Sequence, residues 1–199
     1  NTTTVNGLQD NSPHTFRWTV SRNGCVAWDE VIIYNDLITA NAGSDQTSCN
    51  YSALLSAEEP EEGSGEWTIS TGAGVVTTPS YWASTVPGLG LGTNVLIWTV
   101  TNLTCVSSDN VIITNNTVTA TAGADQQLCQ DFTYLAADQP DVGGYGEWEI
   151  VGGGVDTQIE TPSAFNTLVS GLRRGVNTFR WTVYENGCTN GGSLVFITN

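Results

Sequence analysis

The run Phe16-Arg17-Trp18-Thr19-Val20 returns as Leu96-Ile97-Trp98-Thr99-Val100 and again as Phe179-Arg180-Trp181-Thr182-Val183. The spacings between the tryptophans are 80 and 83 residues, and a cysteine follows each one seven residues later, at Cys25, Cys105 and Cys188. Upstream, Ala42-Gly43-Ser44-Asp45-Gln46 closes on Cys49, and the same element recurs as Ala122-Gly123-Ala124-Asp125-Gln126 closing on Cys129. Gly65-Glu66-Trp67 matches Gly146-Glu147-Trp148, and Val5-Asn6-Gly7 before Leu8 matches Val86-Pro87-Gly88 and Val169-Ser170-Gly171. Landmarks that keep one register over this length mark an internal repeat. The reading is the last part of one repeat over 1–36, a whole repeat over 37–116 and a second whole repeat over 117–199.

Within the quoted run Leu96, Trp98 and Val100 alternate with Ile97 and Thr99, the period of a strand with one core face. Asn23-Gly24 and Asn186-Gly187 follow such strands, where a tight hairpin needs positive φ. The middle repeat is read as strands at 38–48, 51–57, 64–70, 74–78, 82–87, 93–101 and 105–114, and no segment carries a long helical period. Short strands separated by Gly and Pro turns, about 80 residues to a unit, describe tandem immunoglobulin-like β-sandwiches, an all-β fold. Composition agrees: the 199 residues include 22 glycines and many Thr, Val and Asn, which suit pleated surfaces and tight turns. Trp18, Trp98, Trp181, Trp67 and Trp148 recur and are expected in the cores.

The 1–36 segment supplies only about three strands and cannot enclose a core. Either its other half precedes Asn1 or another molecule completes it by strand complementation, a route to polymers. The chain opens on Asn1 with no initiator Met, so its start reads as processed or truncated.

Charge narrows the partners. The formal net charge is −15, the five basic residues are all arginine, and no cluster exceeds Arg173-Arg174. Phosphate binding draws on clustered Lys and Arg, so neither nucleic acid nor an anionic membrane surface is an expected partner. No apolar stretch approaches the roughly 20 residues of a membrane helix, so no membrane insertion is expected.

Regular cysteines in an acidic, Thr-rich β-repeat point to an oxidising, extracellular setting. Cys49, Cys105, Cys129, Cys188 and Cys25 are therefore the candidate disulfide residues. Pairing within repeats joins Cys49 to Cys105 and Cys129 to Cys188, leaving Cys25. Topology objects, because a sandwich puts the A–B turn and the F–G turn at opposite ends, too far for a disulfide. The alternative Cys49–Cys188 staples neighbouring repeats, and free thiols or sequential pairing are the remaining readings. A metal site built on the cysteines is weak, with wide spacing and a single histidine, His14.

Catalysis finds little material: His14 has no second histidine for a relay, and no carboxylate pair is placed for acid–base work. The chain is expected not to be an enzyme. Calcium is the sharper reading of the acidity. Asp45 and Asp125 recur where a linker ion would sit, and Glu58, Glu59, Glu61 and Glu62 add carboxylates, though no dense ligand loop appears. The plainer reading is an acidic turn accepting backbone bonds. Trp28 and Tyr81 have no aromatic counterpart in the other repeats and are candidate contact residues.

The Ala-Gly-x-Asp-Gln…Cys opening, Gly-Glu-Trp, Val-x-Gly-Leu and Trp-Thr-Val…Asn-Gly-Cys ending resemble PKD-like, immunoglobulin-like repeats of bacterial surface proteins. They are especially similar to repeats of very large Bacteroidetes proteins exported by type IX secretion, including gliding-motility-type adhesins. The resemblance spans the chain and departs at Asn102-Leu103-Thr104-Cys105, where the Asn-Gly turn is replaced. It implies a cell-surface location and a spacer or adhesive stalk, with neighbouring repeats, self-assembly into filaments and surface glycans as expected partners. The competing expectation is a carbohydrate-binding or accessory module of a secreted multidomain enzyme, with Trp28 and Tyr81 as its stacking platform.

Overall fold

A computed structural model describes residues 2–10 and 12–199; Asn1 and Asn11 lie outside the described residues. In chain order the strands are β1 (Ser12–Arg22), β2 (Cys25–Asn35), β3 (Gln46–Ser48), β4 (Ser52–Leu54), β5 (Ser64–Thr71), β6 (Thr85–Pro87), β7 (Gly92–Asn102) and β8 (Cys105–Asn115). They continue with β9 (Gln126–Gln127), β10 (Phe132–Ala136), β11 (Tyr145–Gly152), β12 (Gln158–Ile159), β13 (Asn166–Ser170), β14 (Val176–Glu185), β15 (Cys188–Thr189) and β16 (Ser193–Thr198). The described chain is all-β.

In the middle of the chain a four-stranded sheet, β3-β8-β7-β5, faces the two-stranded β4-β6. The C-terminal part repeats the plan, with β11-β14-β16-β9 facing β10-β13-β12. Each pair of sheets closes on its own core. One contains Leu55, Trp67, Val86, Leu96, Trp98, Val100, Val111 and Ile113, and the other Leu135, Trp148, Val169, Phe179, Trp181, Val183, Val195 and Ile197. At the centre of each, Trp67 tilts 43° against Trp98 and Trp148 tilts 43° against Trp181, both with ring centroids 5.1 Å apart. The strand carrying the first tryptophan of each pair also carries a glycine, because the second indole lies on its backbone. A Cβ on Gly65 would overlap Cζ2 of Trp98, and one on Gly146 would overlap Cζ2 of Trp181.

The long hairpin strands match their alternation, but three expectations are corrected. The stretch 38–48 forms a strand only over Gln46–Ser48. Before it the backbone hangs on side chains of β8: Ala40 N donates to Ser107 Oγ (3.0 Å) and Ala42 N to Asp109 Oδ2 (2.8 Å). Gly43, at φ 84°, then lies so close to Ser56 O that any Cβ would clash. Residues 74–78 form no strand; they are tied to the neighbouring segment by isolated bonds such as Val75 N to Pro87 O (3.0 Å), Thr77 N to Thr85 O (2.9 Å) and Thr78 N to Ser84 Oγ (3.0 Å). The third correction concerns Trp18, which is 61% exposed whereas Trp98 and Trp181 are 0% exposed. The β1–β2 hairpin reproduces β7–β8, pairing Phe16 with Val31 and Trp18 with Asp29 as Leu96 pairs with Val111 and Trp98 with Asp109. It forms a two-stranded sheet by itself; among the described residues it has no equivalent of β5 beside it and none of β4 and β6 over its apolar face.

A polar feature unread in the sequence organises the start of each complete hairpin. Asn94 is fully buried, and its Oδ1 accepts Ala73 N (3.1 Å) and Gly90 N (3.0 Å). Its Nδ2 approaches the carbonyls of Gly90, Gly92 and Ile113. Asn177 repeats the pattern with Arg173, Gly175 and Ile197. A buried amide with this many partners is satisfied and fixes the turn before the strand.

Candidate functional site

The functional geometry lies where the two sandwiches meet. Cys49, just after β3, bonds to Cys188, which opens β15 after the β14 hairpin turn. The Cα atoms are 5.4 Å apart, and 139 residues separate the two in sequence. Pairing within repeats is therefore not what forms. The physical reason is the sheet order: Cys49 follows the strand lying beside the far end of β8, while Cys105 begins β8 at its other end. The next sandwich brings Cys188 to the end that Cys105 cannot reach. Asn116 Nδ2 donates to Asn186 O (3.5 Å) across the same junction.

Cys25, Cys105 and Cys129, expected in disulfides, stand as thiols in this structure, Cys25 and Cys129 exposed and Cys105 half-buried. Cys25 and Cys105 occupy the hairpin position of Cys188, and Cys129 the position of Cys49.

The turns that present the hairpin cysteines need positive φ. Asn23 (51°) and Gly24 (82°), like Asn186 (47°) and Gly187 (79°), supply it with residues that tolerate the left-handed region. In the middle repeat Leu103 adopts φ 52° in the place of Asn.

The candidate calcium residues have other work. Asp45 Oδ1 accepts the N–H of Ile112 (2.8 Å), and Asp125 Oδ1 accepts that of Phe196 (2.9 Å). Both cap an outward N–H on the last strand of their sandwich. Glu58, Glu59, Glu61 and Glu62 are exposed. Among the described residues no three His, Cys, Asp or Glu side chains gather as a metal site.

His14 lies in β1, where its Nε2 accepts the N–H of Gln9 (2.9 Å). Trp28 is 59% exposed and carries the Arg17 guanidinium 4.4 Å above its ring; Arg17 also pairs with Glu30 at 2.7 Å. Tyr81 is 49% exposed and tilts against Trp82 at 5.3 Å. The two lie in different parts of the fold, Trp28 in β2 and Tyr81 between β5 and β6. Sequence reading missed another aromatic pair: Tyr145 and Tyr184, directly opposite on β11 and β14, stack at 4.9 Å. They line an open hollow with Glu185, Asn186, Gly187, Cys188 and Thr189, beside the disulfide. Both are unmatched in the preceding repeat, where Ser64 and Thr101 stand. That signal was readable, but their pairing required the cross-strand register.

No family model matches the chain, and no curated protein matches it. Solved structures do. The N-terminal eight Ig domains of Down Syndrome Cell Adhesion Molecule match 94% of this chain and 31% of that one, at 7% identity and TM-score 0.46. An I-band fragment of titin matches over 94% and 74%, at 9% identity and TM-score 0.38. An endo-fucoidan hydrolase of glycoside hydrolase family 107 matches over 94% and 34%, at 16% identity and TM-score 0.34. The chain spans about a third of the length of that hydrolase.

Proposed function

We propose that this chain is a structural segment of a large extracellular surface or filament-forming protein, built to supply length and to carry tension, with no catalytic role. The observation that carries the reading is the Cys49–Cys188 bond, which ties one sandwich to the next. Disulfides persist in oxidising surroundings, which supports a location outside the cell. Stacked units that contact only their neighbours give a quasi-one-dimensional array, and a covalent tie between neighbours limits its bending. The sequence resemblance to type IX-secreted Bacteroidetes surface repeats supports a bacterial adhesin stalk as the parent architecture.

The mechanical consequence is specific. A pull applied at the two ends of the chain enters at Cys49, crosses the bond and leaves at Cys188. The 139-residue separation stays out of the load path, hiding roughly 470 Å of contour at about 3.4 Å per residue. Single-molecule stretching tests this. The oxidised chain is expected to stop short of the Cys188→Ser chain by about that length; equal extensions would remove the load-bearing role.

A second reading, a carbohydrate-binding module, draws on the exposed stack of Tyr145 and Tyr184 and on Trp28. Retention on a polysaccharide panel, lost in Tyr184→Ala or Trp28→Ala, would favour it. Passage through the whole panel would leave the structural reading standing alone.

A further inference from the structure

We propose that the open face of the β1–β2 hairpin and the thiol of Cys105 are two parts of one docking surface, whose occupant is the first half of a further repeat of this type. The occupant is a stretch equivalent to residues 37–84, entering the hairpin through Thr4. This deepens the stapled-array reading and rests on it.

The hairpin states what it lacks, because two complete copies show the same residues satisfied. Phe16, Trp18, Val20, Val31 and Ile33 share one face by register. Their equivalents Leu96, Trp98, Val100, Val111 and Ile113 are buried in a core completed by Leu55, Trp67 of β5 and Val86 of β6. Val5 is 37% exposed, whereas Val86 and Val169 are 0% exposed. Asp29 stands where Asp109 accepts Ala42 N and Ser193 accepts Ala122 N, but its Oδ1 takes only the neighbouring Glu30 N. Ile32 stands where the N–H groups of Ile112 and Phe196 are capped by Asp45 and Asp125. The entry is already set, since Asn35 Nδ2 donates to Leu8 O as Asn115 Nδ2 does to Leu89 O and Asn199 Nδ2 to Leu172 O.

Three features follow for the occupant. It places glycine on the Trp18 ring, as Gly65 and Gly146 lie on theirs. It carries a Trp two residues later to tilt against Trp18, and an Ala-Gly-x-Asp element to take the Asp29 and Ile32 positions. Cys105 supplies an independent demand. The observed bond joins the cysteine after the first strand of one sandwich to the hairpin cysteine of the next. By that rule Cys105 takes the corresponding cysteine of the unit ahead of the middle sandwich, and that unit is the one containing the β1–β2 hairpin. One half repeat therefore satisfies both the apolar face and the thiol. In forming the bond the two thiols lose two protons and two electrons to a low-molecular-weight disulfide, which is reduced to two thiols.

The test is a chain with a second copy of residues 37–84 joined ahead of Thr4, held in a glutathione buffer containing the oxidised form. Peptide mapping is expected to join the added copy's cysteine to Cys105, and exchange of the Ile32 amide is expected to slow at least tenfold. Gly65→Val in the added copy alone is expected to abolish both. The Cys49–Cys188 bond in the same chain reports folding of the rest, and its loss would count against the stapled array itself. With that bond intact, an added cysteine that stays a thiol, or one that bonds Cys25 or Cys129, overturns the proposal. So does a bond to Cys105 that survives Gly65→Val, or pairing of hairpin faces between two copies.

Discussion

The β1–β2 hairpin and the β7–β8 hairpin are nearly the same object in sequence and in register, yet one is a free ribbon and the other is the centre of a sandwich. Both place Trp opposite Asp, end in a tight turn and open their second strand on cysteine. Trp98 is fully buried, and Trp18 is mostly exposed. Strand alternation therefore prepares an apolar face without determining whether that face is covered. What covers it is a segment of about 50 residues lying elsewhere in the chain, anchored by glycine against indole and by Asp on the edge. A two-stranded hairpin has little stability alone, whereas facing sheets with a Trp-centred core have much more.

The contrast can be broken most forcefully by removing the two indoles in turn. Trp98→Ala is expected to cost about 3–5 kcal/mol in urea unfolding of its sandwich. Trp18→Ala, at an exposed position, is expected to change stability by about 0.5 kcal/mol or less. Equal losses would mean that the hairpin is packed in solution. Next comes the glycine contact. Gly146→Ala pushes a methyl into the Trp181 ring and is expected to cost roughly 1–3 kcal/mol, with a lower urea midpoint for the C-terminal sandwich. No loss would show that the indole has room to move. The smallest effect sharpens the comparison of the three hairpin turns. Leu103→Asn, which restores the residue of the other two turns at a positive φ, is expected to stabilise the middle sandwich by about 0.5–1 kcal/mol. A destabilisation would show that Leu103 contributes through contact.

Much of the fold was legible because it rests on local rules. Period-2 alternation placed the long hairpins, and Asn-Gly marked two of their turns. Elsewhere the determining partner is distant. Residues 38–45 fall in the stretch 38–48 read as strand, but the amides of Ala40 and Ala42 go to Ser107 and Asp109, an exchange no local pattern displays. Asn94 and Asn177 look like ordinary polar residues until the fold shows them buried, with five hydrogen bonds to one and four to the other. The cysteine partners depended on how two sandwiches stack. Spacing alone left intra-repeat pairing and the staple as rivals, and the order β3-β8-β7 decides between them. Asp45 and Asp125 recur for a structural reason, capping a strand edge, and that reason appears only once the parallel pairing of β3 with β8 and β9 with β16 is known.

The central claim is that neighbouring sandwiches are joined by Cys49 and Cys188. Non-reducing peptide mapping of the oxidised chain tests it most directly. The expected product is a single cross-linked peptide pair containing Cys49 and Cys188, converted to separate peptides on reduction. Recovery of Cys49 linked to Cys105 and of Cys129 linked to Cys188 would contradict the claim, and with it the tension-bearing array.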